Sequence, residues 1–196
     1  MTAKHEITRD DLLAMDDYVA IRPERKRLIT GLKKNRRISV GPDATFYFES
    51  YDTMLHQVQE MLYIEKGGDD QIDDELGAYN PLIPNGRELV ATLMFEIDEP
   101  VRREKVLAGL GGVEKTVTMT LGDEIVTAVP EDDVDRTNAD GKASSIQFLH
   151  FPFTDQQVEK FRDPATTVTL GIGHNQYGHM ANLPDAVKNA LAADFD

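Results

Sequence analysis

The chain has 196 residues, with 35 acidic and 21 basic side chains, no cysteine and no tryptophan. That length can bury a core without covalent staples. The missing cysteines exclude disulfides, thiolate nucleophiles, thiolate zinc sites and iron–sulfur clusters ligated by this chain. No run is apolar and long enough for a bilayer span, and the charged opening MTAKHEITRDDLL lacks the apolar core of a secretory leader, so a soluble, cytoplasmic protein is expected.

The net charge of −14 is unevenly spread. Residues 1–37 hold ten Lys/Arg against six Asp/Glu, and eight of those basic residues lie between Arg22 and Arg37. We read 1–196 as a single domain with 1–37 a basic helical N-terminal extension. The remainder carries −18. A basic arm for nucleic acid is therefore not expected, because the body would repel phosphate; packing of the basic segment on its own acidic body is.

In chain order, Thr8 and Asp11 form a capping-box-like pair with Ile7 placed to staple onto Leu12, which predicts a helix over about 9–18. Pro23 suits the first turn of a second helix, with Ile21, Leu28, Ile29 and Leu32 on one side. Ile38–Val40 and Thr45–Glu49 read as short strands around Gly41-Pro42-Asp43. Met54, Leu55, Val58, Met61 and Leu62 recur at helical spacing over about 53–66, and Gly67-Gly68 stops them. Asp69 or Asp70 caps a shorter helix carrying Ile72, Leu76 and Tyr79, which ends at Asn80-Pro81.

After a turn-rich loop the period changes to two: Leu89, Ala91, Leu93, Phe95 and Ile97 alternate along a strand. Pro100 opens a helix to about Leu110. Val113–Leu121 alternates again, and Gly122-Asp123 turns into Glu124–Val129. Ser145–Phe153 is a strand, Thr154 caps a helix to about Arg162, Thr166–Ile172 is the last strand, and a helix runs from Asp185 to Ala193. The order predicts an α+β fold: a helical N-terminal part, then a mixed, mostly antiparallel sheet with helices on one face, with a split βαβ, ferredoxin-like tendency.

Complete catalytic motifs are missing. Gly109-Leu110-Gly111-Gly112 follows a helix rather than a strand, and Gln176 takes the third glycine's place after Gly171-Ile172-Gly173, so neither is a phosphate loop. Asp133, Asp135 and Asp140 break the register of a calcium loop. Ser39, Ser50, Ser144 and Ser145 sit in no nucleophile elbow. What remains is polar. His56 and Glu60 share a helix face. Glu96 ends an apolar strand and, if covered, would need Arg102 or Arg103 as a partner. His174 and His179 lie in a glycine-rich segment after the last expected strand, either as ligands or as caps on backbone groups.

Several stretches together resemble a bacterial family catalogued as domain of unknown function 3501. They are Ile21–Arg25, Lys34–Arg37, Phe48-Glu49, Gln57–Met61, Tyr79–Pro84, Ala91–Glu96 and Gly171-x-x-His174-x-x-Tyr177, spanning nearly the whole chain in order. Gln147 and His150 stand where that family usually has His and Arg, and His56 where it has an apolar or aromatic residue. Members are often encoded beside rubrerythrin and an iron–sulfur protein similar to heterodisulfide reductase subunits, which implies an association with peroxide defence or redox metabolism. The polar set the resemblance leaves is Glu49, Gln57, Glu60, Tyr79, Asn80, Glu96 and His174.

Three readings follow. The first is a non-enzymatic accessory protein partnered with rubrerythrin or the iron–sulfur protein, with 22–37 as a docking surface. The second is a metal-binding protein or metal-dependent enzyme using His174 and Glu60, a donor set that suits iron, manganese or zinc. The third is a structural oligomer such as a homodimer.

Overall fold

The computed structural model describes residues 4–131 and 141–196; the acidic segment considered for calcium lies largely outside them. The Thr8–Asp11 pair forms as expected: the Thr8 N–H and hydroxyl both donate to the Asp11 carboxylate, at 2.9 and 2.8 Å. It closes only a 3-10 turn, Arg9–Asp11. The helix proper, α1, runs Met15–Lys34, with Pro23 inside it. The helix expected over about 9–18 and the one expected to open at Pro23 thus give way to a short turn and a single helix that runs through Pro23. Proline removes one internal bond and disfavours a helical residue before it. Buried Tyr18 and Ile29 hold the helix on either side, and that packing outweighs the local preference.

Strands β1 (Arg37–Val40) and β2 (Ala44–Phe48) pair across a turn at Gly41, whose φ of +73° favours glycine. Helix α2 (Tyr51–Glu65) is capped by the Ser50 hydroxyl, which accepts from the Thr53 N–H; it ends at Lys66 in the left-handed conformation. Helix α3 (Asp69–Tyr79), β3 (Glu88–Phe95) and α4 (Pro100–Ala108) follow. Val113–Thr116, expected as strand, is a 3-10 turn in which consecutive Val113 and Glu114 both turn inward, so β4 is confined to Val117–Leu121. Then come β5 (Glu124–Thr127), β6 (Val129–Pro130), β7 (Ile146–Pro152), α5 (Asp155–Arg162), β8 (Val168–His174), β9 (Tyr177–Asn182) and α6 (Asp185–Ala192).

The class is α+β, with the helical part first. The strand arrangement departs from the split βαβ expectation. Among the described residues all pairings are antiparallel, in two sheets ordered β1-β2-β3-β7-β6 and β5-β4-β8-β9. β3 meets β7 antiparallel, while β4 and β8 build the second sheet. The chain changes sheet between β5 and β6 at Ala128, whose N–H donates to the Val117 carbonyl, a corner of the kind found in packed sheets. Helices lie on both sides rather than on one face. Val90 of β3 joins Met54, Val58 and Leu62 of α2, with Ile7, Leu82 and Ile83, in a core beneath α2 and α3. Leu89, Ala91, Leu93 and Phe95 face the larger core between the sheets, to which α4, α5 and α6 add Leu107, Val158, Phe161, Val187 and Leu191.

The second sheet is tied back to the first by Tyr177. Its hydroxyl accepts from the N–H groups of Asp43 (2.8 Å) and Ala44 (2.9 Å) and donates to the Val40 carbonyl at 2.9 Å. A Cβ on Gly41 would lie 2.6 Å from the His179 ring and 2.8 Å from the Tyr177 oxygen, so glycine is required there twice over.

Candidate functional site

Glu60 sits at the junction of α1 and α2. Arg22 grips its carboxylate with two bonds, Nε to Oε1 at 2.7 Å and a terminal nitrogen to Oε2 at 2.9 Å, and the Tyr18 hydroxyl donates to Oε1 at 2.6 Å. Lys26 lies 3.6 Å away. The Arg22 bond, above all, holds the Glu60 pKa down to about 2. Burial, then the hydrogen bond to Glu60, pushes the Tyr18 phenol up. Tyr18 also meets His56 Nδ1 at 3.3 Å, and burial lowers the His56 pKa. The Arg22 guanidinium stacks over Tyr63 at 4.3 Å. The expected His56–Glu60 pair is therefore bridged by Tyr18 and neutralised by Arg22. A carboxylate engaged this fully holds two helices together rather than offering lone pairs to a metal.

Glu49 is buried where β2 runs into α2. Its carboxylate accepts from the hydroxyls of Thr53 (2.7 Å) and Thr92 (2.8 Å). Next to it Arg36, also buried, donates to the carbonyls of Phe48 (3.0 Å) and Glu49 (2.7 Å) and pairs with Asp194 beyond the end of α6. Burial pushes the Asp194 carboxyl up, against the pull of Arg36. Arg36 and Asp194 border a cleft of about 550 Å³ between the ends of α1 and α6, the start of α2 and the N-terminal segment. Lys4 and Arg36 bring positive charge to it and Asp52 and Asp194 negative charge. His5 meets the Pro84 carbonyl at 2.6 Å and the Asp196 carboxylate at 3.2 Å.

The other sequence candidates stand apart. The Asn80 side chain pairs with both backbone groups of Ile7, accepting its N–H at 2.8 Å and donating to its carbonyl at 3.0 Å. Tyr79 packs against the helical core, and Gln57 is half-buried on α2. Glu96 is exposed, not covered; it accepts from the Tyr47 hydroxyl at 2.7 Å, while Arg102 pairs with Asp43 at 2.7 Å and Arg103 donates to the Ile97 carbonyl. His174 closes β8, where its Nδ1 accepts from the Gln176 N–H at 3.3 Å; the segment read as a glycine-rich loop is a tight hairpin, and the ring caps its turn. The seven candidates do not converge. Glu60 lies in the helical layer and His174 in the second sheet, and among the described residues no group of three His, Asp or Glu is placed to hold a metal ion.

Sequence reasoning missed Arg36 and Tyr177 as organising residues, although both lie in stretches that carry the family resemblance. His150 bridges Glu88 (3.1 Å) and Glu131 (3.6 Å), and the Glu88 contact raises its pKa. Glu114 and Gln147 are buried, each with one side-chain oxygen lacking a donor among the described residues; no local pattern marks either. Among the described residues no helix is long and apolar enough to cross a membrane.

The chain is similar over its whole length to a crystallised protein of unknown function from Burkholderia pseudomallei, with 35% identity, a TM-score of 0.89, and coverage of 97% of this chain and 99% of that one. No curated protein matches it. A family model described as protein of unknown function (DUF3501) matches residues 6–195, and the chain belongs to that family.

Proposed function

We propose that this is a non-catalytic accessory protein that docks on an acidic partner through the basic ridge of α1, the partner being rubrerythrin or the iron–sulfur protein implied by the family resemblance. One observation carries the reading. α1 is a 20-residue helix with only Tyr18 and Ile29 buried, and it leaves Lys26, Arg27 and Lys34 exposed on a chain whose remainder is strongly acidic. A basic ridge on an acidic body selects partners by charge and speeds their encounter. The polar residues that suggested chemistry support the same reading: Glu49, Glu60, Asn80, Glu96 and His174 each bind elements of this chain to one another.

The test is a pull-down with the immobilised full chain against purified rubrerythrin and the iron–sulfur protein encoded nearby. Retention at low salt that weakens as salt rises, and that is lost in an Arg27→Glu/Lys34→Glu variant, is expected. Retention of neither protein at physiological salt refutes the proposal.

A further inference from the structure

We infer that a cavity between α1 and α2 binds a small aromatic hydroxyl compound, whose hydroxyl donates to Nε2 of His56. The cavity measures about 230 Å³ and has apolar walls at Leu13, Ile21 and Leu55. A closed space of about 150 Å³ already takes a benzene-sized ring. Most of the polar groups at this cavity are engaged. The Gln59 side chain accepts from the Leu13 N–H at 2.9 Å and donates to the Leu13 carbonyl at 3.2 Å. The Asp11 carboxylate is held by Thr8 and Lys4. The Tyr18 hydroxyl gives its proton to Glu60. That leaves His56, which lines the cavity with 8% of its surface exposed.

The tautomer of that ring follows from its neighbours. Arg22 keeps Glu60 ionised, so Glu60 has no proton to give. The phenol proton stays on the 2.6 Å bond to Glu60, and toward His56 the Tyr18 oxygen can only accept. His56 Nδ1, 3.3 Å away, therefore carries the ring proton. Burial keeps the ring neutral, so Nε2 bears a lone pair. Nε2 meets no partner among the described residues. Yet the fully enclosed side-chain atoms without one, among those residues, are Glu114 Oε2 and Gln147 Oε1 alone. Nε2 is thus open to the cavity that His56 lines. The ligand class follows. A lone pair facing apolar walls repels a carboxylate and accepts from an O–H. Arg25, half-buried at the same cavity, opposes a cation and favours the face of an aromatic ring.

Phenol is the probe, and anisole, its methyl ether without a donor, is the control. Long-range nitrogen–proton NMR of the histidine side chains follows the titration of the full chain. His56 should show the Nδ1-protonated tautomer, and phenol should move its Nε2 resonance with a dissociation constant of about 1 mM, as befits so small a ligand. Anisole should bind at least about tenfold more weakly. By calorimetry His56→Phe, which keeps a ring and removes the acceptor, should erase the preference for phenol over anisole. Ile21→Trp, at a position 41% exposed, should fill the cavity mouth and abolish binding. That surface change keeps the test decisive if His56→Phe does not fold. An Nε2-protonated tautomer overturns the inference, as does no response to phenol at about 10 mM. Equal binding of phenol and anisole overturns it too, and so does phenol binding unmoved by Ile21→Trp, which would lie in another cavity. These readouts involve no protein partner, so they stand or fall separately from the docking proposal.

Discussion

Replacing Tyr177 by Phe removes one oxygen and leaves the ring. The ring contacts with Phe95 (5.6 Å between centroids) and His179 (4.6 Å) persist, so packing is nearly unchanged. Three backbone groups lose their partner at once: the N–H groups of Asp43 and Ala44 and the carbonyl of Val40. A buried polar group left without a partner costs about 1–3 kcal/mol, and the lower figure suits a turn that can relax toward water, which gives about 3 kcal/mol in total. For a chain of this size that corresponds to a fall in melting temperature of about 6–12 °C. Urea denaturation followed by circular dichroism measures the change, with an unaltered slope if the native state keeps its extent. Native-state hydrogen exchange gives the site-specific reading: the Asp43 and Ala44 amides should lose protection more than their neighbours. A loss under about 1 kcal/mol with those two amides still protected would refute the idea that this hydroxyl ties the second sheet to the β1–β2 turn.

Arg36→Met should cost about 3–5 kcal/mol because Asp194 stays buried without its cation, and Arg36→Met combined with Asp194→Leu should recover much of that loss in the same denaturation assay. Asn80→Ala strips both backbone groups of Ile7 of their partner and should cost about 1–3 kcal/mol, with new limited-proteolysis cuts appearing before residue 12. His150 has a folded pKa raised above 6.5, chiefly by Glu88. Its contribution to stability is therefore full below about pH 6.5 and disappears as pH rises through the folded value. Melting temperatures measured from pH 5.5 to 9 should fall over that upper window, and His150→Gln should flatten the profile.

The parts of the fold legible in sequence were those with a strong period. β3 and α2 were placed because each buries one regular set of apolar residues, and Thr154 announced α5 as its cap, its hydroxyl accepting from the Gln157 N–H. Pro23 misled because a local steric preference says nothing of the anchors at Tyr18 and Ile29. β9 was hidden for the opposite reason: it is an edge strand with only Tyr177 buried, so no alternation exists to be read. The candidate site was legible only as residue types. Glu60, Glu49 and Asn80 stood out as polar groups, but their partners Arg22, Thr92 and Ile7 lie 38, 43 and 73 residues away, a distance across which spacing carries no signal. Two sheets instead of one followed from the same blindness, since pairing partners across a sheet are non-local.

Because β3 is buried on one face and at least half-buried on the other, it has little solvent side on which to place charge. Leu89-Val90-Ala91-Thr92-Leu93-Met94-Phe95 is a seven-residue, uncharged, proline-free run of strand formers, the composition that stacks into intermolecular sheets once it is free of its neighbours. In the folded chain β2 and β7 occupy both of its edges. Glu88 and Glu96 stand immediately outside the run as charged gatekeepers, Glu88 bound to His150 and Glu96 to Tyr47. Heating that opens the first sheet should thus lead to aggregation sooner than to reversible unfolding, and Glu88→Gln or Glu96→Gln should quicken it even where native stability is unchanged.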